Sequence, residues 1–427
     1  MIKRVLIALL CCASYGMYAQ NGTVSPYSYF GIGDLRTVNT VENQMMGGLG
    51  MYSDSIHLNI KNPAAYSDLK LTTYAIGLSH KELRLKSFTE KQSTSVTNLD
   101  YLSVGLPISE KGAIGFGLMP YSSVGYSLVS ESENDNQRAV TNIFSGEGGL
   151  NRVYVSLGYK VAKNLGIGAT ANFNFGTIES QRLQSVEDVQ FGTIDRRLSR
   201  INGYDFNLAA NYTPKVGEKT TLYTSVMIAT QSNLVSKNTQ AIGSFSSSTG
   251  ADIEVIDVNL DALNLRNTEL KVPTTTTFGL GYGENKKWFL GAEYSTQALS
   301  SFNNDFLGAD NILYQDASSF AFGAYLIPDY TSFTSYLKRV TYRAGVRLDK
   351  TGMVINNKEI NNFGITFGLG LPLGARNSTI PNFSNINLGF EVGRRGTTDA
   401  SLIEESYLKV NVGLTLNDKW FLKRRIN

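Results

Sequence analysis

The chain has 427 residues, of which 18% are charged and 11% aromatic, and its 39 basic and 36 acidic groups leave a formal net charge of +3. With 23 Tyr, 21 Phe and 41 Gly residues it has much apolar surface to bury, which excludes a disordered chain. The near balance of charge, without a dominant basic block, excludes a nucleic-acid binder.

The N-terminus has the pattern of a secretory signal peptide over residues 1–19. Lys3 and Arg4 precede an apolar run that ends in small residues. Both cysteines, Cys11 and Cys12, lie within this leader. The mature chain is therefore predicted to be exported and to lack any thiol for a disulfide or a cysteine-ligated metal.

Residues 20–70 follow the leader and show no regular alternation. A Gly-Gly-x-Gly stretch and an Asn-Pro-Ala stretch stand out in this segment, and their residues are Gly47, Gly48, Gly50, Asn62, Pro63 and Ala64. A segment of this length that precedes the first predicted strand needs a place in the fold. The pattern of the remaining chain indicates where it goes.

Residues 71–417 repeatedly alternate apolar with polar or small side chains. In one such segment Leu408, Val410, Val412 and Leu414 are separated by polar or small residues, so that one face of a strand is apolar. Segments of about ten residues with this pattern predict an all-β, transmembrane antiparallel β-barrel. A soluble sandwich also alternates, but here the connections switch regularly between short and long, as in barrels. A transmembrane helix is excluded because no run of about 18 apolar residues follows the leader.

The alternation predicts fourteen strands, an even number that leaves both chain ends in the periplasm. The predicted strands start near residues 71, 98, 112, 150, 164, 201, 219, 271, 287, 317, 339, 361, 384 and 405. The longest predicted outer loops are 129–149, 178–200 and 233–270, and residues 418–427 form a basic periplasmic tail. A barrel of this size has a lumen wide enough for residues 20–70 to act as a plug.

The glycine and Asn-Pro-Ala stretches resemble the N-terminal hatch of the FadL family, outer-membrane transporters of long-chain fatty acids and other hydrophobic compounds. Four segments of the C-terminal third, 342–345, 363–372, 393–397 and 417–421, are also similar to a branch of that family. The resemblance implies a hatch within a fourteen-stranded barrel in the outer membrane. It also implies passive uptake of hydrophobic or amphipathic small molecules without a cofactor, with outer-membrane lipid around the barrel.

One departure from the family keeps a second interpretation open. The chain continues past its last predicted strand into a basic end, Lys423 to Asn427, instead of ending on an aromatic strand residue. This tail and the long segment 233–270 favour a non-transporting barrel subunit of an outer-membrane protein assembly or secretion complex. Other envelope proteins would then be its partners.

Pro120 lies in the middle of the third predicted strand. Proline cannot donate a ladder hydrogen bond, so it marks an edge, a bulge or a gap in a sheet. The family resemblance implies a kink that opens a lateral exit towards lipid. A local bulge without an opening is the alternative.

Charged residues are predicted on the inward faces of the strands. They are Arg152, Lys160, Asp205, Glu293, Arg343, Arg347, Glu391 and Lys409. One interpretation is a headgroup site for an anionic amphiphile, in which Arg343 and Arg347 bind a carboxylate. The other is a structural network between the hatch and the wall, which the similar numbers of both signs favour.

The sequence gives little support for catalysis or metal binding. The two histidines, His57 and His80, fall in the hatch and the first strand, and no short catalytic or phosphate-binding motif occurs. A Ser-His-Asp arrangement assembled from distant residues is the weaker, enzymatic alternative. The acidic segments 131–135 and 252–261 match no calcium-loop spacing. We therefore expect no enzyme, no metal and no cofactor.

Overall fold

In a computed structural model that describes residues 22–135, 137–308, 311–373 and 384–418, the chain forms a closed antiparallel β-barrel of 14 strands. The fold class and the strand number predicted from the alternation are confirmed. The predicted leader, most of the predicted C-terminal tail and the connection 374–383 lie outside the described residues.

The N-terminal segment, residues 22–71, contains only short elements in its described part. They are a 3-10 helix at Pro26–Tyr29, strand β1 at Asp34–Leu35, helix α1 at Val41–Gln44 and a 3-10 helix at Pro63–Asp68. Three further 3-10 helices lie in connections, at Leu299–Ser301, Leu337–Arg339 and Asp399–Ser401.

The remaining strands follow in chain order. They are β2 Thr72–Lys86, β3 Lys91–Pro107, β4 Gly112–Glu133, β5 Ala139–Ala162, β6 Leu165–Val186, β7 Phe191–Tyr212, β8 Thr220–Ala229, β9 Ser232–Ser246, β10 Asp252–Asp257, β11 Asn267–Val272, β12 Thr275–Glu284, β13 Trp288–Gln297, β14 Ile312–Tyr314, β15 Ala317–Leu326, β16 Thr341–Ile355, β17 Lys358–Pro372, β18 Asn385–Arg395 and β19 Glu404–Asp418.

The 19 β-segments form only 14 barrel strands, because two of the barrel strands are interrupted and two segments lie outside the barrel wall. β8 and β9 both pair with β7, so they are two parts of one ascending strand. β10, β11 and β12 likewise form one interrupted descending strand, because they pair in turn with β9 and β8. β1 lies in the N-terminal segment and β14 in an outer connection. The barrel closes where β19 pairs with β2.

Side-chain orientation follows the period-two pattern. In β5, Arg152, Tyr154 and Ser156 are buried, whereas the intervening Val153 and Val155 are exposed on the lipid-facing side. The inner face is thus the polar one, as a membrane barrel requires. Within the described residues, no helix is both long and apolar enough to cross a bilayer.

The barrel wall is much taller on one side than on the other. β4, β6 and β7 have 22 residues each and β5 has 24, whereas β13 and β15 have 10 each. A tilted strand needs about 9–11 residues to cross a bilayer. We call the outer parts of β4–β7, together with β9 and β10, the tall wall.

The predicted outer loops are wrong in part, because strands of the tall wall extend into them. Much of 129–149 and 178–200 is ladder rather than loop, and 233–270 contains β9, β10 and part of β11. Above the membrane both faces of a strand tolerate polar residues, so alternation ends there while backbone pairing continues. The same effect explains why β5 and β7 begin earlier than predicted.

The N-terminal segment lies inside the barrel. It contacts strands around most of the circumference, from β4 to β7 and from β13 to β19, which is possible only from the lumen. Where it approaches β15 and β16 the wall has Gly323 and Gly345. A Cβ atom at either position would lie 2.1 Å from Met46 or Gly47 backbone atoms. The absence of side chains therefore permits direct backbone contact between segment and wall.

Candidate functional site

The glycine stretch turns the N-terminal segment against the wall just after α1. Gly47 and Gly48 have positive φ angles of 70° and 87°, which glycine adopts without strain. The Gly47 N–H donates to Thr366 Oγ1 at 3.2 Å, and that hydroxyl donates to the Met45 carbonyl at 3.1 Å. One side chain of β17 thus fixes both sides of the turn.

Glu293 on β13 makes the strongest set of contacts between wall and segment. Its Oε1 atom accepts the backbone N–H groups of Gly50 and Met51, both at 2.6 Å. Its Oε2 atom forms an ion pair with Lys61 at 2.8 Å, and the carboxylate is buried. Hydrogen bonds to a charged acceptor are stronger than neutral ones, and a buried carboxylate needs such partners.

Asn62 organises the Asn-Pro-Ala turn. Its amide donates to Asn211 Oδ1 at 2.9 Å and to the Gly50 carbonyl at 3.0 Å, while its Oδ1 accepts the Ala64 N–H at 3.0 Å. Pro63 begins the 3-10 helix that this amide caps. Both Asn62 and Ala64 are fully buried. The turn is therefore tied to β7 and to the glycine stretch at once.

Arg152 and Asp205 form a buried network within the wall. Arg152 Nη2 lies 2.8 Å from Asp205 Oδ2, and Arg152 Nε donates to Asn174 Oδ1 at 2.8 Å. Asn172 donates to the other Asp205 oxygen at 2.6 Å, and the guanidinium stacks on Tyr121. Every group in this cluster has a protein partner.

Arg343 and Arg347 lie four residues apart on β16 and have different partners. Arg343 donates to Asn387 Oδ1 at 3.1 Å. Arg347 forms ion pairs with Asp349 at 2.9 Å and Glu391 at 3.1 Å. The structure therefore does not bring the two guanidinium groups together around one free anion position.

The remaining predicted inward charges also contact the segment or the wall. Lys409 lies 3.7 Å from Asp100 and 3.5 Å from Gln44 of the segment. Lys160 forms an ion pair with Asp68 of the segment at 2.6 Å. The eight predicted inward charges thus have polar protein partners within hydrogen-bond or ion-pair reach.

Two contacts of the segment were not anticipated from the sequence. Glu42 in α1 is buried and accepts hydrogen bonds from Asn387 at 2.8 Å and Thr415 at 2.6 Å. Asp34 forms an ion pair with Arg395 at 2.7 Å. Where a segment does not alternate, its sequence does not indicate which way a charged side chain points. Neither Glu42 nor Asp34 could therefore be assigned a partner from periodicity.

Aromatic clusters occupy both ends of the lumen. Tyr52 of the segment packs against Tyr223, Phe289 and Tyr325 near the periplasmic strand ends, with ring centroids 4.9–5.7 Å apart. Near the outer end, Phe302 of the connection after β13 packs against Tyr314 and belongs to one apolar cluster with Ile32. Aromatic packing thus holds the segment against the wall near both ends of the lumen.

A cavity of about 530 Å³ remains beside the segment. Its lining is mixed, since Lys81, Asp100 and Arg36 face it together with Phe30 and Leu35. Pro120 also lines this cavity, which brings the cavity to the wall between β3 and β4.

The wall has a seam at Pro120. The β3–β4 ladder joins Leu102–Pro107 to Ala113–Leu118 and stops there, although both strands continue outward. Beyond Pro120 β4 instead pairs with β1 of the segment, at Ser122 and Ser123. The register between β4 and β5 also shifts there, and Leu35 is 48% exposed in the seam.

His57 and Asp54 form an ion pair near the periplasmic end of the segment, with Nδ1 and Oδ2 2.6 Å apart. Burial lowers the pKa of His57, but Asp54 outweighs burial and the net pKa lies above the usual 6.5. Burial raises the pKa of Asp54, yet His57 and two backbone N–H groups bring it below 3.8. His80 contacts Thr97 on β3. Among the described residues, no group of acidic or histidine side chains could hold a metal ion.

Comparisons with known proteins agree with this architecture. A family model described as BamG matches residues 1–427. Solved structures with a similar fold include the Pseudomonas putida toluene transporter TodX, at 17% identity and a TM-score of 0.56, with 92% of this chain and 100% of that chain covered. The Ralstonia pickettii toluene transporter TbuX gives 14% identity and 0.56, with 91% and 99% covered.

A Pseudomonas aeruginosa FadL homologue gives 11% identity and a TM-score of 0.58, with 90% of this chain and 99% of that chain covered. No curated protein matches the chain in sequence. The predicted resemblance to FadL-family transporters is confirmed at the level of fold, and the chain has a FadL-like β-barrel. At these identities the likeness concerns architecture alone.

The first prediction concerns Glu293. Glu293→Gln removes the charge that holds Gly50, Met51 and Lys61, so we expect a loss of about 2 kcal/mol in unfolding free energy and a looser N-terminal segment. Since residues 13–427 contain no cysteine, Ser67→Cys reports the loosening of this segment through maleimide labelling. Glu284→Gln, in a periplasmic turn, is the control, and equal labelling of both variants would contradict the assignment.

The second prediction concerns the pH dependence of stability. Protonated His57 stabilises the fold fully below pH 6.5, and this contribution is lost as the pH rises through its raised pKa. The contribution of Asp54 is present above its ordinary pKa and is lost only as the pH falls through its lowered pKa. Between about pH 6 and pH 9, urea unfolding should show wild type losing more stability than His57→Gln. Parallel pH profiles for wild type and His57→Gln would refute the prediction.

Proposed function

Because the chain belongs to the BamG family, we propose that it is a non-transporting barrel subunit of an outer-membrane protein assembly complex. The match to the BamG model supports the subunit interpretation, whereas the structural neighbours carry channel names. A shared barrel can serve both purposes, since function depends on the site rather than on the fold.

The observation that carries the proposal is the fixation of the N-terminal segment in the lumen. Glu293, Thr366 and Asn211, from three separated strands, each hydrogen-bond the segment. Breaking a buried pair by removing one partner typically costs about 3–5 kcal/mol, so displacing the whole segment is unfavourable. A lumen occupied in this way suits a structural subunit better than an open conduit.

The tall wall gives such a subunit a surface for partners. The 24 residues of β5 exceed the membrane span by more than half their number, so much of the strand rises outside the bilayer. A conduit for small molecules needs no such extension, whereas a subunit needs area for contact with other proteins.

The third prediction tests this role. An affinity-tagged chain, extracted in mild detergent, should purify with a reproducible set of envelope proteins, and its depletion should lower the levels of other outer-membrane barrels. An unrelated barrel of similar size, tagged and expressed equally, is the control. Purification as a lone barrel, together with unchanged barrel levels after depletion, would contradict the proposal.

A second candidate function is passive uptake of a hydrophobic or amphipathic small molecule. The cavity that reaches Pro120 and the seam between β3 and β4 favours it, because together they offer a route from the lumen towards lipid. TodX and TbuX are named as toluene transporters, which supports the same class of cargo. In this case the N-terminal segment would act as a hatch that gates the cavity.

The fourth prediction separates the two candidates. If the seam is the route, Pro120→Ala should extend the ladder and slow uptake of labelled toluene or fatty acid without reducing the amount of folded barrel. Val153→Ala, on the lipid-facing side of β5, is the matched control. Equal uptake by wild type, Pro120→Ala and a deletion strain would dismiss transport.

A further inference from the structure

β10 is the free edge of the tall wall. Among the described strands, β10 has residue-by-residue pairing with β9 alone. All six of its residues, Asp252–Asp257, are exposed. A closed barrel has no edge within the membrane, so this edge exists only because the wall continues above the shorter strands on the other side.

The direction of the unpaired backbone groups of β10 follows from the hydrogen bond just after its C-terminal end. The Val258 N–H donates to the Gln240 carbonyl at 2.9 Å, so residue 258 faces β9. Alternate residues of an antiparallel strand face the same neighbour, which places Glu254 and Ile256 towards β9. The backbone groups of Val255 and Asp257 therefore point away from the barrel.

The side chains of β10 are unusually apolar for an exposed edge. Ile253 is 57% exposed, Ile256 59% and Val255 39%. Exposed apolar side chains on a strand with free backbone groups form the surface on which another strand can pair. Natural edges without a partner are commonly protected by short length, charged side chains, bulges, Pro or a covering loop. β10 is short, acidic and has a bulge between Asp252 and Glu254, but it contains no Lys or Pro.

Charge indicates what kind of strand can pair there. Asp252 forms a bidentate ion pair with Arg196, at 2.7 and 3.0 Å, but Glu254 and Asp257 have no ion pair among the described residues. The hairpin end between β6 and β7 adds exposed Glu187 and Asp188. Glu131, Glu133 and Asp135 are also exposed, further along the wall at the end between β4 and β5. A second copy of the acidic β10 would be repelled, whereas a strand with Lys or Arg side chains would be attracted.

We propose that β10 binds an extended, basic segment of a surface-exposed partner protein by strand addition. The inference rests on the proposed role as a subunit and assigns the partner's position. Main-chain hydrogen bonds from Val255 and Asp257 give affinity, while Glu254 and Asp257 select a basic strand.

The fifth prediction tests the backbone pairing. Val255→Pro removes an outward N–H without touching the β9 ladder, whereas Val255→Thr keeps the N–H and the β-branched shape. One envelope protein should fall at least about tenfold in the purified Val255→Pro complex and stay at its wild-type level with Val255→Thr. Heat-modifiability on gels checks that both barrels are folded.

Two further measurements identify the occupant. A photo-cross-linking residue at Val255 should capture the same protein through a segment that contains Lys or Arg. That segment, synthesised as a peptide, should bind the purified wild-type barrel at least about tenfold more tightly than the Glu254→Lys variant. Capture through an acidic or neutral segment, or equal binding by both barrels, would overturn the inference.

The outcomes distinguish this inference from the proposed function. A complex that stays intact with Val255→Pro refutes pairing at β10 and leaves the subunit role in place. The absence of any co-purifying protein from wild type refutes the subunit role itself.

Discussion

The buried carboxylate of Glu293 is the contact on which the interior depends. It lies away from solvent, so its charge needs donors, and these come from Gly50, Met51 and Lys61 of the N-terminal segment. Without the segment, a charge would remain unpaired inside the barrel. Segment and wall therefore require each other, and the glycines of β15 and β16 allow the backbone contact that this arrangement needs.

The same barrel interior is compatible with both candidate functions, a subunit of an assembly complex and a passive transporter. The barrel matches the fold of the toluene transporters. In this chain a seam arises at Pro120 because β4 pairs there with β1 in place of β3. The taller wall and the fixed segment are the features that favour a subunit.

Sequence periodicity predicts those parts of the strands in which one face contacts lipid and the other faces the polar lumen. Lipid outside and a polar lumen inside impose alternation, so the strand number and the facing of Arg152 and Glu391 could be read from the sequence. Above the membrane water lies on both sides, so the outer parts of β4 to β7 lack the alternation and are predicted as loops 129–149 and 178–200. Partners could not be predicted either, since Arg347 finds Glu391 through the register between β16, β17 and β18, which no local pattern encodes.

Ion conductance through single barrels measures most directly whether the segment closes the lumen. The purified wild-type chain, inserted into a planar bilayer, should show no steady conductance at moderate voltage, because Glu293, Asn62 and the two aromatic clusters hold the segment across the lumen. Removal of residues 22–66, with Glu293→Gln to avoid an unpaired charge, should produce a stable open level if the barrel still inserts. A steady, ohmic conductance in the intact chain would contradict the account.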